Sequence, residues 1–239
     1  MEPLDLLVIA AHPDDAEISV GGTLLVARAR GLATGVLDLT RGEMGTFGTP
    51  EVRAEEAAAA SAVLGLAWRR NLGLPDARLV DQVEARERVA EVLRATRPRV
   101  LLVHDPLDLH PDHAAAARIA RAAAYLAGLA RLAAGEGQTA TPFRPTRLFT
   151  FFSHEAPAPG FVVDIGATFE EKLRAVRCYR SQCAQEGESG TLFLRGTDIV
   201  ERVRTRARFD GARVGIPFGE ALSADRPLRL DAGELLGSP

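Results

Sequence analysis

The chain has 239 residues, 46% apolar and 26% charged, which is enough for one sizeable buried core and most simply a single domain. A formal charge of −3 without a long basic run leaves no electrostatic footprint for a phosphate backbone, so no nucleic acid is expected and the partner should be a small molecule. The most apolar long stretch, Ala114 to Ala134, contains Arg118, Arg121 and Arg131, each costing about 2.5 kcal/mol or more at a bilayer centre, so no membrane partner is expected either.

The N-terminus runs from Met1 to Asp5 directly into an apolar octet, without the basic segment and cleavage site of a secretory signal, and a cytoplasmic location is expected. Leu4 to Ala11 is almost continuously apolar, as a strand buried on both faces of a parallel sheet should be. Gly21-Gly22-Thr23 then opens a helix that Gly31 stops, and Thr34 to Thr40 restores the strand pattern. Thr49-Pro50-Glu51 supplies a capping threonine, a proline at the first helical position and an early acid for an Ala-rich helix ending near Leu64. Trp68 to Leu72 reads as a short third strand, Val83 to Ala95 as a helix stopped before Arg97-Pro98, and Arg99 to His104 as the fourth strand.

A long helix from about Pro111 is followed by Gly135 to Pro145, whose glycine, threonine and proline predict a loop. Arg147 to Phe152 and Phe161 to Ile165 read as strands, and Phe169 to Tyr179 and Thr197 to Phe209 as helices. Cys178 and Cys183 lack the further paired ligands of a structural zinc site and read as ordinary thiols. The alternation predicts an α/β fold: a doubly wound, mostly parallel, Rossmann-like sheet in one domain.

Two of the five histidines lie in His110-Pro111-Asp112-His113, and a third opens His12-Pro13-Asp14-Asp15. Each tetrapeptide follows a predicted strand, and open α/β sheets bind ligands beyond the carboxyl ends of strands where the strand order reverses. With the order 3-2-1-4-5, strands one and four flank that reversal and the two motifs meet. Two imidazoles and one carboxylate leave a coordination position for water, the pattern of catalytic zinc, although Fe(II) accepts the same donors. His12, Asp15 and His113 are the expected ligands. His113 is preferred to His110 because it lies one turn further into the helix, but spacing alone does not choose between them.

Zinc lowers the pKa of bound water to about 7 and polarises a carbonyl, so the expected chemistry is hydrolysis. Asp14 is then placed to act as general base, and its bland alternative is a helix cap. His110 is placed to assist the oxyanion, with Asp112 orienting its ring and favouring the protonated form. Glu17 is either a partner of the ligands or a solvent-facing helix residue. Thr40 to Thr46 forms a glycine-punctuated loop at the same edge. In it Glu43 could bind sugar hydroxyls, while Arg53 in the next helix could pair with a carboxylate. No dinucleotide or phosphate-loop fingerprint is present.

His12-Pro-Asp-Asp-Ala-Glu17 followed by Gly21-Gly22-Thr23, together with His110-Pro-Asp-His113, resembles the zinc-dependent LmbE-like (PIG-L) N-deacetylases. Thr40-Arg-Gly-Glu-Met-Gly-Thr, Gly48 to Glu56, Lys172 to Gln182 and the tail from Phe218-Gly219-Glu220 to Arg226-Pro227-Leu228 resemble its bacillithiol-biosynthesis branch. That branch implies deacetylation of N-acetylglucosaminyl malate, with metal on His12, Asp15 and His113, base at Asp14, and oxyanion help from His110. It also implies a homo-oligomer such as a hexamer, and it makes Arg53, then Arg180, candidates to meet the substrate's carboxylates. The chain departs from relatives at Ser19-Val20, where Gly-Cys is common, and at Phe47, where the branch has Arg.

Overall fold

The structure, a computed structural model, is described for residues 2–132, 141–154, 159–183 and 198–228. Most of the expected loop Gly135 to Pro145 and all of Gln185 to Gly190 lie outside these residues. Five strands form the parallel part of one sheet: β1 (Leu6–Ala10), β2 (Thr34–Thr40), β3 (Trp68–Leu74), β4 (Val100–His104) and β5 (Arg147–Phe151), in the order β3-β2-β1-β4-β5. The order reverses between β1 and β4, as expected, and sets their carboxyl ends side by side. Beyond β5 the sheet continues with two antiparallel strands, β7 (Gly219–Ala224) on β5 and β6 (Phe161–Asp164) on β7. Strand β7, a short run containing Gly219 and two alanines, carries no continuous apolar pattern in the sequence.

Alternation along the strands divides the core into two layers. Leu7, Ile9, Leu37, Leu39, Leu101 and Val103 pack against Val89 and Leu93 of α3 (Val83–Thr96) and Ile119 of α4 (Pro111–Leu126). Leu6, Val8, Val36, Leu102, Phe149 and Phe151 face the other way, against Leu24 and Leu25 of α1 (Asp15–Ala29). On that side α2 (Pro50–Leu64) begins as its sequence dictates: Thr49 Oγ1 accepts from Val52 N and Pro50 occupies the first turn. Two further helices, α5 (Phe169–Val176) and α6 (Ile199–Ala212), pack a smaller apolar cluster around Phe169, Leu173 and Val203.

Helix α1 differs from its expected start. It begins at Asp15, six residues before Gly21, and is broken at Val20 (φ −137°, ψ 18°). The second segment opens where Gly-Gly-Thr was read as a helix start, and its amides are capped from a distance. Gly22 N and Thr23 N donate to Glu220 of β7 at 2.8 and 2.6 Å, and Lys172 Nζ of α5 lies 2.6 Å from the same carboxylate. A carboxylate at a helix N-terminus is favourable, and this one is buried with its counter-ion. The kink lets the first turn of α1 aim Asp15 and Glu17 at the switch point while the second segment lies along the sheet. A Cβ on Gly22 would sit 2.7 Å from Ile165 Cγ2 and 2.9 Å from Glu220 Oε1. Gly22→Ala is therefore expected to lose a net of about 1–2 kcal/mol in urea denaturation, overpacking outweighing the helix-propensity gain.

Candidate metal centre and active site

The turn after β1 and the loop from β4 into α4 converge at the switch point. Asp15 lies between two imidazoles, with Oδ2 3.3 Å from His12 Nδ1 and Oδ1 3.2 Å from His113 Nε2. Donor atoms of these three residues all fall within 4.8 Å of one another, close enough to share one ion. Two neighbouring groupings, His104 with Asp108 and His113, and His12 with His110 and Asp112, also lie within that distance, but the residues they do not share with the first set are engaged elsewhere. His104 Nε2 accepts from Ala11 N at 3.1 Å, and its Nδ1 lies 3.3 Å from Ser153 Oγ. Asp108 accepts from His110 N at 2.8 Å, and its Oδ1 lies 2.9 Å from His154 Nδ1. His110 Nδ1 accepts from Asp112 N at 3.2 Å, while the Asp112 carboxylate accepts from Ala77 N at 2.7 Å and Leu79 N at 3.2 Å.

The ring nitrogens facing away from the Asp15 position are backed by carboxylates. His12 Nε2 lies 3.0 Å from Asp76 Oδ1 and 3.4 Å from Asp112 Oδ2, and His113 Nδ1 lies 3.2 Å from Asp108 Oδ1. Carboxylate behind histidine is the usual outer support of a metal ligand: it fixes ring orientation and raises donor strength. Burial alone would lower the pKa of His113, but Asp15 and Asp108 outweigh it and lift the imidazole to about 9. Burial raises Asp15, yet the neighbouring His113 charge outweighs it and holds its carboxyl well below the usual range. A deprotonated acid between two strongly basic imidazoles is a donor set in which a divalent cation can replace protons. These residues fit a metal such as zinc. Asp108→Asn is expected to weaken divalent-metal affinity by about 10–100-fold, read by competition with a chromophoric chelator. Unchanged affinity would reduce Asp108 to a loop brace.

Asp14 does not cap α1. Its side chain makes no cap hydrogen bond, and its backbone is held at φ 114°, a conformation that costs a non-glycine residue about 1–3 kcal/mol and tends to persist at functional sites. The carboxylate turns instead to Arg53, whose Nη2 lies 3.1 Å from Oδ2 and also donates to Pro13 O. Burial, opposed by the Arg53 charge, pushes the Asp14 carboxyl up to about 7. Arg53 itself is buried, and its Nε and Nη1 have no hydrogen-bond partner among the described residues. Gly42 adopts φ +67°, and a Cβ there would lie 3.2 Å from Arg53 Nη2, so this loop glycine lets the backbone lie against the guanidinium.

A cleft of about 230 Å³ opens on this group, with His12, Asp14, Arg53, Asp76, His110 and Gln182 in its walls. His110 sits at the N-cap of α4. Because its Nδ1 accepts a backbone N–H, the neutral ring carries its proton on Nε2. Burial and then the His113 charge lower its pKa. This corrects the expected role of Asp112: its carboxylate reaches the β3–α3 connection and His12, and only its backbone N–H orients His110. The cause is position, since an N2 side chain projects away from its own N-cap. Glu43 is also committed elsewhere, accepting from Arg41 N at 3.1 Å and Asp76 N at 3.0 Å; it braces the Asp76 loop and does not line the cleft. Arg180 is exposed and outside the cleft wall.

Glu17 is fully buried, so its solvent-facing reading fails; Oε1 accepts from Arg69 Nη1 at 2.6 Å and Tyr179 Oη at 3.1 Å. Asp76, His104, His154 and Arg69 join the site without having stood out as candidates in the sequence. Asp76 had a usable signal, because Leu74-Pro75-Asp76 repeats at the end of β3 the strand-Pro-Asp pattern of the two histidine motifs.

The fold and the site together define a doubly wound α/β protein with a carboxylate-backed His-Asp-His cluster at its switch point. A family model described as PIG-L, GlcNAc-PI de-N-acetylase, matches residues 7–124, the span that holds both histidine motifs. The diacetylchitobiose deacetylase of Thermococcus kodakarensis is 32% identical, aligned over 76% of this chain and 71% of its own length. The 1D-myo-inositol 2-acetamido-2-deoxy-alpha-D-glucopyranoside deacetylase of a Nocardioides species is 28% identical over 76% of this chain and 84% of its own. Among solved structures, the conserved protein TT1542 from Thermus thermophilus superposes with a TM-score of 0.84 at 46% identity, covering 96% of this chain and 98% of that one. The chain belongs to the PIG-L/LmbE-like deacetylase family. Among the described residues no helix is long and apolar enough to cross a membrane.

Proposed function

We propose that this protein hydrolyses the acetamide of a small N-acetylglucosamine-containing substrate, using a divalent metal, zinc or Fe(II), held by His12, Asp15 and His113. The observation that carries the reading is Asp14: an uncapped, strained carboxyl at the cleft, with its pKa near 7, beside a cluster fit for a metal. A bound divalent ion supplies Lewis-acid polarisation of the carbonyl and acidifies a water. Asp14 takes the proton of the attacking water; its near-neutral pKa suits it both to accept that proton and to return it to the departing amine. A C–O bond forms, the amide C–N bond breaks, and acetate and free amine leave. His110 donates from Nε2 to the carbonyl oxygen as negative charge develops there, an interaction worth about 3 kcal/mol in comparable sites.

For the substrate itself we favour N-acetylglucosaminyl malate. In support, Arg53 reaches the cleft with Nε and Nη1 uncommitted, suited to a carboxylate. The loop from Thr40 to Thr46 resembles that of the bacillithiol-biosynthesis branch. Acetate release would be measured with metal-loaded protein on N-acetylglucosaminyl malate, N-acetylglucosamine, diacetylchitobiose and the inositol-linked acetamidosugar. The malate compound is expected to turn over with the highest kcat/KM. A higher value on diacetylchitobiose would reassign the substrate and leave the chemistry standing, while no turnover of any would remove the reaction.

A further inference from the structure

A second cavity, of about 380 Å³, lies further along the carboxyl edge of the sheet, between α1, α6 and the end of β5, and none of His12, Asp14, Asp15, His110 or His113 lines it. Its charged groups are unequally matched. Lys172 faces Glu220 at 2.6 Å, and Arg206 Nε lies 2.8 Å from Asp210 Oδ2. Arg202, one helical turn before Arg206, has no carboxylate within ion-pair distance among the described residues; its guanidinium reaches only the Ser153 carbonyl, at 3.4 Å. Two arginines at i and i+4 repel each other on a helix. Burial, and then the neighbouring Arg206 charge, lower the pKa of Arg202. A half-buried guanidinium that feels Asp108 only at a distance and has no ion-paired carboxylate among the described residues, facing a cavity, is a place for an anion.

The walls narrow the class of anion. Ile18, Phe152, Val203 and Phe209 make much of the surface apolar, which suits an anion carrying an apolar body better than a strongly hydrated dianion such as phosphate. The guanidinium fork matches a planar carboxylate. We propose that this cavity is a second small-molecule site, separate from the metal cleft, taking a monocarboxylate with a compact apolar body, its head on Arg202 and its tail against Ile18, Phe152 and Val203. The floor of the site connects to the metal cluster. Arg206 Nη1 donates to His154 O at 2.7 Å, and His154 Nδ1 meets Asp108, which backs His113.

The test uses the full chain. Crystals soaked in 6-bromohexanoate would locate bromine by anomalous scattering, and calorimetry would compare hexanoate with the neutral hexanamide on wild type, Arg202→Met, Arg202→Lys and Arg53→Met. Bromine is expected in the α6 cavity. Hexanoate should bind wild type and Arg53→Met within a few-fold of each other, Arg202→Lys more weakly because the fork is lost while the charge remains, and Arg202→Met about tenfold or more weaker than wild type, as loss of a charged hydrogen bond predicts. Bromine only at His12, Asp15 and His113, equal affinity in Arg202→Met, or hexanamide binding as tightly as hexanoate would each overturn the proposal. Should Arg202→Met fail to fold, the bromine position and the hexanamide comparison on wild type decide it alone.

Discussion

Asp14→Asn is expected to lower kcat for acetate release by about 10²–10⁴-fold while metal content and melting temperature stay close to wild type. Asparagine keeps the shape of the side chain, tolerates positive φ better than other non-glycine residues, and still offers an oxygen to Arg53 Nη2. What it loses is the ability to accept a proton. Alanine would be the poorer choice, because it would add strain at φ 114° and leave Arg53 with Pro13 O alone, mixing a folding defect with a chemical one. A fall in kcat with KM little changed, in protein holding the same metal, would place the loss in the transition state. Turnover within about threefold of wild type would remove Asp14 from proton transfer, whatever the cluster binds.

The place of Asp14 beside the His-Asp-His cluster was legible in the sequence because it rests on local signals. Buried parallel strands are continuous apolar runs, so β1 and β4 announced themselves, and the motifs at their ends could be placed at a switch point before any contact was known. What was not legible depends on partners far away in the chain. Glu220 caps Gly22 and Thr23 across nearly two hundred residues, so the kink in α1 has no signature within α1. The Asp112 carboxylate was assigned to its sequence neighbour His110, whereas its hydrogen bonds run to Ala77 and Leu79, beyond the end of β3. Strand β7 pairs with β5 through backbone bonds that a short run with two alanines does not advertise. Glu43 carried the right chemistry for a sugar contact, and only the fold reveals that two backbone amides already occupy it.

The deepest feature hidden from sequence is Arg69, and its loss should carry the largest stability effect. From an otherwise exposed stretch of β3 it turns inward, gripping Asp38 through Nε at 2.8 Å and Nη2 at 3.0 Å, and Glu17 through Nη1 at 2.6 Å. Both carboxylates are buried, and this one guanidinium is the only cation that ion-pairs with either among the described residues. Arg69→Met keeps most of the aliphatic stem and removes the charge, stranding two buried acids. The expected cost is about 3–5 kcal/mol in urea denaturation, or a melting-temperature drop of roughly 6–20 °C for a chain of this size. The same network touches the active site. Tyr179 Oη binds Glu17, and its ring lies 5.6 Å from the Arg53 guanidinium that holds Asp14. Turnover should therefore fall even at temperatures where Arg69→Met is folded. Adding Glu17→Gln and Asp38→Asn removes the stranded charges, so the triple variant should recover part of the lost stability. If it recovers none, the cost belongs to packing of the arginine stem; if Arg69→Met loses under about 1 kcal/mol, solvent already reaches these acids and the burial argument fails.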